Sequence, residues 1–130
     1  MIPSEISDTI RRRIAEAKRD APDRLTSDGR AVRIYADVAG AAYITPEGEV
    51  LTQVWDADET PKLETNPNAR YAALVIGTER WPELAGLLPS RPALVPDCSA
   101  CGGSGWLQLG TAGLVCGYCG GLGWNGATAR

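Results

Sequence analysis

The 130-residue sequence contains no histidine and no phenylalanine. Histidine is the commonest general acid–base in enzymes and the usual partner of a Ser or Cys nucleophile. Its absence excludes those arrangements, and residues 1–97 offer no convincing nucleophile–base pair in their place. The sequence therefore predicts a protein that is not an enzyme, with no catalytic residues. Without phenylalanine, aromatic packing depends on four Trp and four Tyr.

Long apolar runs are also missing. The basic residues Arg11–Arg13 are followed by mixed residues rather than by the apolar core of a signal peptide. No stretch approaches the roughly 18 apolar residues of a membrane span. We therefore expect a soluble, cytoplasmic protein that has no membrane partner.

Charge is unevenly distributed along the chain. The formal net charge is −3, which gives no long-range attraction for a phosphate backbone and argues against nucleic acid as a general partner. Residues 98–130 contain no Asp, Glu or Lys, and their one arginine is Arg130. Three prolines spread over residues 89–96 precede this segment and are typical of an extended linker. The composition predicts an α+β domain over residues 1–95 and a separate module over residues 96–130.

The pattern of apolar residues predicts the elements of the first domain. An isoleucine at every fourth position predicts a helix over residues 3–20. Alternation over residues 31–55 predicts an antiparallel β meander. The polar segment 56–69 is predicted to be a loop, with Asp56, Asp58 and Glu59 as solvated side chains. A stripe of Trp and Leu predicts a second helix over residues 79–88, whereas residues 71–76 suit either a strand or the start of a helix.

A nine-residue motif occurs twice in the C-terminal segment. Residues 98–106 read CSACGGSGW and residues 116–124 read CGYCGGLGW, with six of nine positions identical. The two copies contain all four cysteines of the chain. The residues between them are apolar on both sides of a Gly-Thr-Ala-Gly stretch, which predicts a β-hairpin that brings the two copies together.

The cysteine spacing predicts a metal site. Two cysteines separated by two residues can aim both sulfurs at one point, and two such pairs supply a tetrahedron of thiolates. In a reducing cytosol this pattern favours a metal over disulfides, with a redox dithiol pair as the alternative. A closed set of four thiolates is typical of structural rather than catalytic zinc. We therefore predict one structural zinc ion, held by Cys98, Cys101, Cys116 and Cys119. The predicted fold is α+β: an N-terminal helix, a small antiparallel meander and a second helix, followed by a zinc-stapled β-hairpin.

The two motifs resemble the C-x-x-C-x-G-x-G zinc domain of DnaJ-type chaperones over about residues 96–126. In that family four repeats usually bind two zinc ions, and the domain helps to contact unfolded client proteins. Two repeats imply one zinc ion here. Without histidine the chain lacks the His-Pro-Asp signature of a J-domain, so the resemblance does not imply a J-protein co-chaperone. Residues 42–50 and 72–75 are similar to segments of SUKH-type bacterial immunity proteins.

These features together predict a non-catalytic zinc-binding protein that acts as a protein-interaction or chaperone-like adaptor. Its partner would be another protein, contacted by Trp106 and Trp124, unless these two side chains instead complete the core. One alternative is a SUKH-like immunity protein that neutralises a basic toxin through the acidic residues 37–64. A second alternative is a nucleic-acid-binding zinc protein, for which only the basic residues of the first helix could supply cations.

Overall fold

The computed structural model describes residues 2–37, 40–55, 60–109 and 112–125. The chain divides into two compact units, Met1–Glu64 and Thr65–Arg130. The boundary predicted near residue 95 lies inside the second unit, and the division into domains 1–95 and 96–130 stays a prediction. Within the described residues, no helix combines the length and apolar character that crossing a membrane requires.

The first unit begins with helix α1, Ser4–Asp20. Its buried face carries Ile6, Ile10 and Ile14, whose four-residue spacing places them on one stripe. Basic residues in the last turn complement the negative carbonyl end of the helix. The structure thus confirms the helix predicted over residues 3–20. A short 3₁₀ helix, Pro22–Arg24, follows it.

Four antiparallel strands form the sheet of the first unit in the order β1 (Val32–Ala36), β2 (Gly40–Ile44), β3 (Val50–Val54) and β4 (Lys62–Leu63). Strand β2 is buried at all five positions, and its Tyr43 pairs with Leu51 of β3. The meander predicted over residues 31–55 is confirmed. Strand β4 was missed, because two residues are too short to show alternation. The acidic residues Asp56, Asp58 and Glu59 lie outside the described residues.

The second unit begins with helix α2, Pro67–Gly77. The Asn66 side chain caps it by accepting hydrogen bonds from the amides of Asn68 and Ala69. The helix predicted over residues 79–88 is a shorter 3₁₀ helix, Pro82–Leu87. The Trp81, Leu84, Leu87 spacing of three residues matches the three-residue turn of a 3₁₀ helix, which accounts for the helix type.

A two-stranded hairpin completes the second unit. Strands β5, Trp106–Leu109, and β6, Ala112–Val115, pair antiparallel with Trp106 opposite Val115. The predicted hairpin is confirmed, although residues 110–111 at its predicted turn lie outside the described residues. With its helices and its small antiparallel sheet, the molecule has the predicted α+β fold, and the four cysteines lie close together near its C-terminal end.

Candidate metal centre

The four cysteine sulfurs form one cluster, in which all lie within 4.8 Å of one another. The Sγ atoms of Cys98 and Cys116 are 3.9 Å apart, and those of Cys101 and Cys119 are 3.8 Å apart. A tetrahedral zinc ion with Zn–S bonds of about 2.3 Å needs sulfurs about 3.8 Å from one another. The cysteines are free thiols, because these sulfur–sulfur distances are far longer than the bond of about 2 Å in a disulfide. These two sulfur–sulfur distances therefore suit a tetrahedral metal.

Each cysteine pair is followed by a turn that directs an amide at a sulfur. We call residues 98–105 the first knuckle and residues 116–123 the second knuckle. The amide of Gly105 donates to Cys101 Sγ at 3.2 Å, and that of Gly123 donates to Cys119 Sγ at 3.3 Å. Such hydrogen bonds spread the negative charge of metal-bound thiolates without a side-chain cation. The two knuckles thus use equivalent residues for the same purpose.

The knuckles also bind each other reciprocally through the backbone. The Cys98 amide donates to the Gly123 carbonyl at 2.8 Å, and the Cys116 amide donates to the Gly105 carbonyl at 2.9 Å. A Cβ at Gly105 would overlap the carbonyl of Gly121, and a Cβ at Gly123 would overlap the carbonyl of Gly103. Both glycines also have positive φ. The last glycine of each motif is therefore required by this close approach.

The four thiols differ in burial and in pKa. Cys116 and Cys119 are fully buried, whereas Cys98 and Cys101 are half-buried. Burial raises the pKa of Cys119 to about 12, with neighbouring thiols adding to the effect. Burial acts in the same direction on Cys101, but hydrogen bonds, mainly from the amides of Gly105 and Gly103, outweigh it and lower its pKa to about 7. Because metal ligation requires thiolates, a bound cation must displace protons from this cluster.

Helix α2 supports the second knuckle. Asn68 Nδ2 donates to the Tyr118 carbonyl at 2.8 Å. A Cβ at Gly120 would meet the Asn68 carbonyl and the Tyr71 Cβ, while a Cβ at Gly121 would meet Val75. The sequence offered no signal for this support, because the glycines concerned also occur in the first knuckle. The cysteine cluster and α2 consequently belong to one compact unit.

An ion pair fastens the chain just before the first knuckle. Arg91 Nη2 donates to Asp97 Oδ1 at 2.8 Å and to the Val95 carbonyl at 2.7 Å. Asp97 forms an antiparallel bridge with Trp124, and its carboxylate lies against Gly103. Asp97 is the acidic residue nearest to the cysteines in sequence, and the structure gives it these backbone and ion-pair contacts.

The two predicted contact residues differ in exposure. Trp106 exposes 38% of its surface, whereas Trp124 exposes 5%. Trp106, and not Trp124, therefore offers indole surface that a partner can reach. Whether either residue contacts a partner stays a prediction.

In chemical terms, the cluster offers four soft sulfur donors within 4.8 Å of one another and could hold a metal ion. No family model, no curated protein and no solved structure matches this chain. The resemblance to DnaJ-type zinc domains therefore rests on the motif residues, and the metal centre rests on the geometry of Cys98, Cys101, Cys116 and Cys119.

Proposed function

We propose that this protein is a non-catalytic zinc-binding protein that acts as a protein-interaction or chaperone-like adaptor. The supporting observation is the cluster of four cysteine sulfurs within 4.8 Å of one another. Tetrahedral sets of four thiolates select zinc or iron–sulfur chemistry. Zinc is the simpler occupant, because the sulfur spacing suits a single ion with bonds of about 2.3 Å.

The role of the zinc ion in this proposal is structural. A catalytic zinc keeps an open position for water or substrate beside three protein ligands. Here the two knuckles supply four sulfurs, and their amide hydrogen bonds and reciprocal backbone pairing stabilise a closed site. The ion would join the two ends of the β5–β6 hairpin and thereby hold the second unit together.

The interaction role is supported by exposed apolar side chains on the second unit. Three of the four lie in residues 98–125, which carry no charged side chain. Exposed apolar surface of this kind is typical of contact sites. The side chains and their exposed fractions are Leu94 101%, Trp106 38%, Leu114 51% and Tyr118 70%. We place the protein in the cytoplasm, since four free thiols suit a reducing compartment.

Metal analysis of the purified chain tests the zinc assignment. We expect one zinc ion per chain, lost in Cys116→Ser and retained in the matched control Ser99→Ala. Replacement by Co²⁺ should give the absorption of a tetrahedral thiolate site. Iron with acid-labile sulfide, or a chain that carries no metal under reducing conditions, would refute the assignment.

A pull-down from the native cell tests the adaptor role. Wild type should retain a defined protein that Cys116→Ser releases and Ser99→Ala keeps. If wild type and Cys116→Ser retain the same proteins, the zinc-dependent adaptor role is wrong, whatever the metal content.

A further inference from the structure

A surface cleft of about 620 Å³ lies beside the first knuckle. Its walls come from residues 94–100, together with Tyr118 and Asn125. Binding clefts of proteins span roughly 300 to 1,000 Å³, so this cleft has room for side chains of a bound molecule. All of its lining residues belong to the second unit.

Leu94, at the edge of the cleft, has two unfavourable features. Its φ is 73°, the one positive value at a non-glycine position in the described part of the chain. This backbone region is unfavourable for leucine because its Cβ approaches a carbonyl oxygen. Its side chain is also fully exposed, at 101%. Backbone strain of this kind concentrates at functional sites, and here it presents an apolar side chain to solvent.

The chain holds Leu94 in this position through Arg91. The guanidinium of Arg91 donates from both Nε and Nη2 to the carbonyl of Val95, the residue after Leu94, and from Nη2 to Asp97. On another wall, Tyr118 exposes 70% of its surface, while its carbonyl accepts the hydrogen bond from Asn68. Hydrogen bonds therefore hold the backbone beside Leu94 and at Tyr118, the two residues that expose apolar surface at the cleft.

The shape of this surface favours a protein as occupant. A cleft alone could take a small molecule, but burying the exposed Leu94 side chain requires an apolar surface on the bound partner. A folded or extended polypeptide provides both a side chain for the cleft and a surface around Leu94.

The charge of this surface favours a basic partner. Asp97 lines the cleft, and its side chain is 61% exposed although it pairs with Arg91. Cys98 also lines the cleft, and a zinc ion bound by four thiolates carries a net charge of about −2. Residues 98–125 contribute no cation. Arg91 offsets the charge of Asp97, so lysine or arginine residues on a partner would meet the remaining negative charge of the zinc-loaded centre.

From these observations we propose that the cleft binds a segment of another protein in which apolar side chains alternate with lysine or arginine. An apolar side chain of this segment enters the cleft, while Leu94 contacts the partner's own apolar surface. The proposal rests on the proposed function, because the charge of about −2 requires the zinc-loaded centre.

A library of random dodecapeptides displayed on phage provides the probe. Zinc-loaded full-length protein should select peptides that combine apolar residues with Lys or Arg. For one selected peptide, Leu94→Ala and Tyr118→Ala should each weaken binding about tenfold, as expected for side chains central to an interface. Replacing the peptide's basic residues by glutamate should have at least the same effect. The matched control Leu114→Ala removes an exposed leucine outside the cleft and should change affinity by less than about twofold.

Several results would overturn the proposal. These are selection of no peptide, selection without basic residues, and affinities that Leu94→Ala and Tyr118→Ala leave unchanged. Self-association of wild type that Leu94→Ala abolishes would identify a second copy of the chain as the occupant instead. Metal analysis of the same samples distinguishes failure of this proposal from failure of the proposed function. If a zinc-loaded protein fails these tests, only the proposed binding at the cleft is refuted. If the protein carries no zinc, the proposed function is refuted.

Discussion

The glycines of the cysteine module allow a quantitative test of its geometry. Gly123→Ala places a Cβ on a residue with φ of 87° and into the carbonyl of Gly103. The backbone must move, which disrupts the hydrogen bond from the Cys98 amide and the one to Cys119 Sγ. A left-handed alanine costs about 1 kcal/mol, and each of these hydrogen bonds contributes about 1 kcal/mol. The expected total loss of stability of the metal-bound module is therefore about 3 kcal/mol.

Two other glycines of the module separate the contributions. Gly102 has a φ of 67° but open space around its Cβ position, so Gly102→Ala should cost only the backbone strain of about 1 kcal/mol. Gly117 has neither a positive φ nor a neighbour within 4 Å. Gly117→Ala should therefore remain within about 0.5 kcal/mol of wild type.

Competition with a chromophoric chelator at fixed pH measures these effects, because the binding free energy of a structural metal includes the folding of its site. We expect zinc affinity to fall about a hundredfold in Gly123→Ala and about fivefold in Gly102→Ala. It should be nearly unchanged in Gly117→Ala. Equal affinities for Gly123→Ala and Gly117→Ala would show that the knuckles do not approach each other as described.

Three further predictions concern pH and backbone strain. Zinc binding must displace at least the proton of Cys119, because the pKa of this thiol is raised to about 12. Zinc affinity should therefore fall by at least about tenfold per pH unit as pH drops below 7. A zinc affinity that does not change with pH in chelator competition would contradict this. Hydrogen bonds from the Thr26 hydroxyl and the Arg30 amide hold the pKa of Asp28 below its usual value of 3.8. The stability that these hydrogen bonds contribute is present above pH 3.8 and is lost as pH falls through the lower, folded-state pKa. NMR titration should show the low pKa of Asp28, and Thr26→Val should return this pKa towards its usual value. An identical Asp28 pKa in the variant would refute the assignment. Leu94→Asn should raise the free energy of unfolding by about 1 kcal/mol, because Asn tolerates a positive φ. A lower free energy of unfolding in urea would contradict this and show that the leucine side chain makes a stabilising contact.

Local sequence patterns determined much of the fold. The repeat of isoleucines produces α1, and the alternation over residues 31–55 produces three strands of the sheet. Strand β4, with two residues, shows no period at all. The helix α2 was hidden because a short apolar run suits a strand and a helix equally well. Its start was nevertheless encoded by Asn66 before Pro67, a capping residue before a first-turn proline.

The cysteine spacing by itself determined which four side chains would form the cluster, because each C-x-x-C pair converges within one turn and the hairpin joins the pairs. Tertiary structure alone decided how the two equivalent motifs differ. Trp106 and Trp124 occupy the same motif position, yet the first is exposed and the second is buried. Cys119 is fully buried and Cys101 is not. The six positions that the two copies share cannot encode such differences. The differences go with distant contacts: α2 packs against the second knuckle, and Asp97 forms a bridge with Trp124.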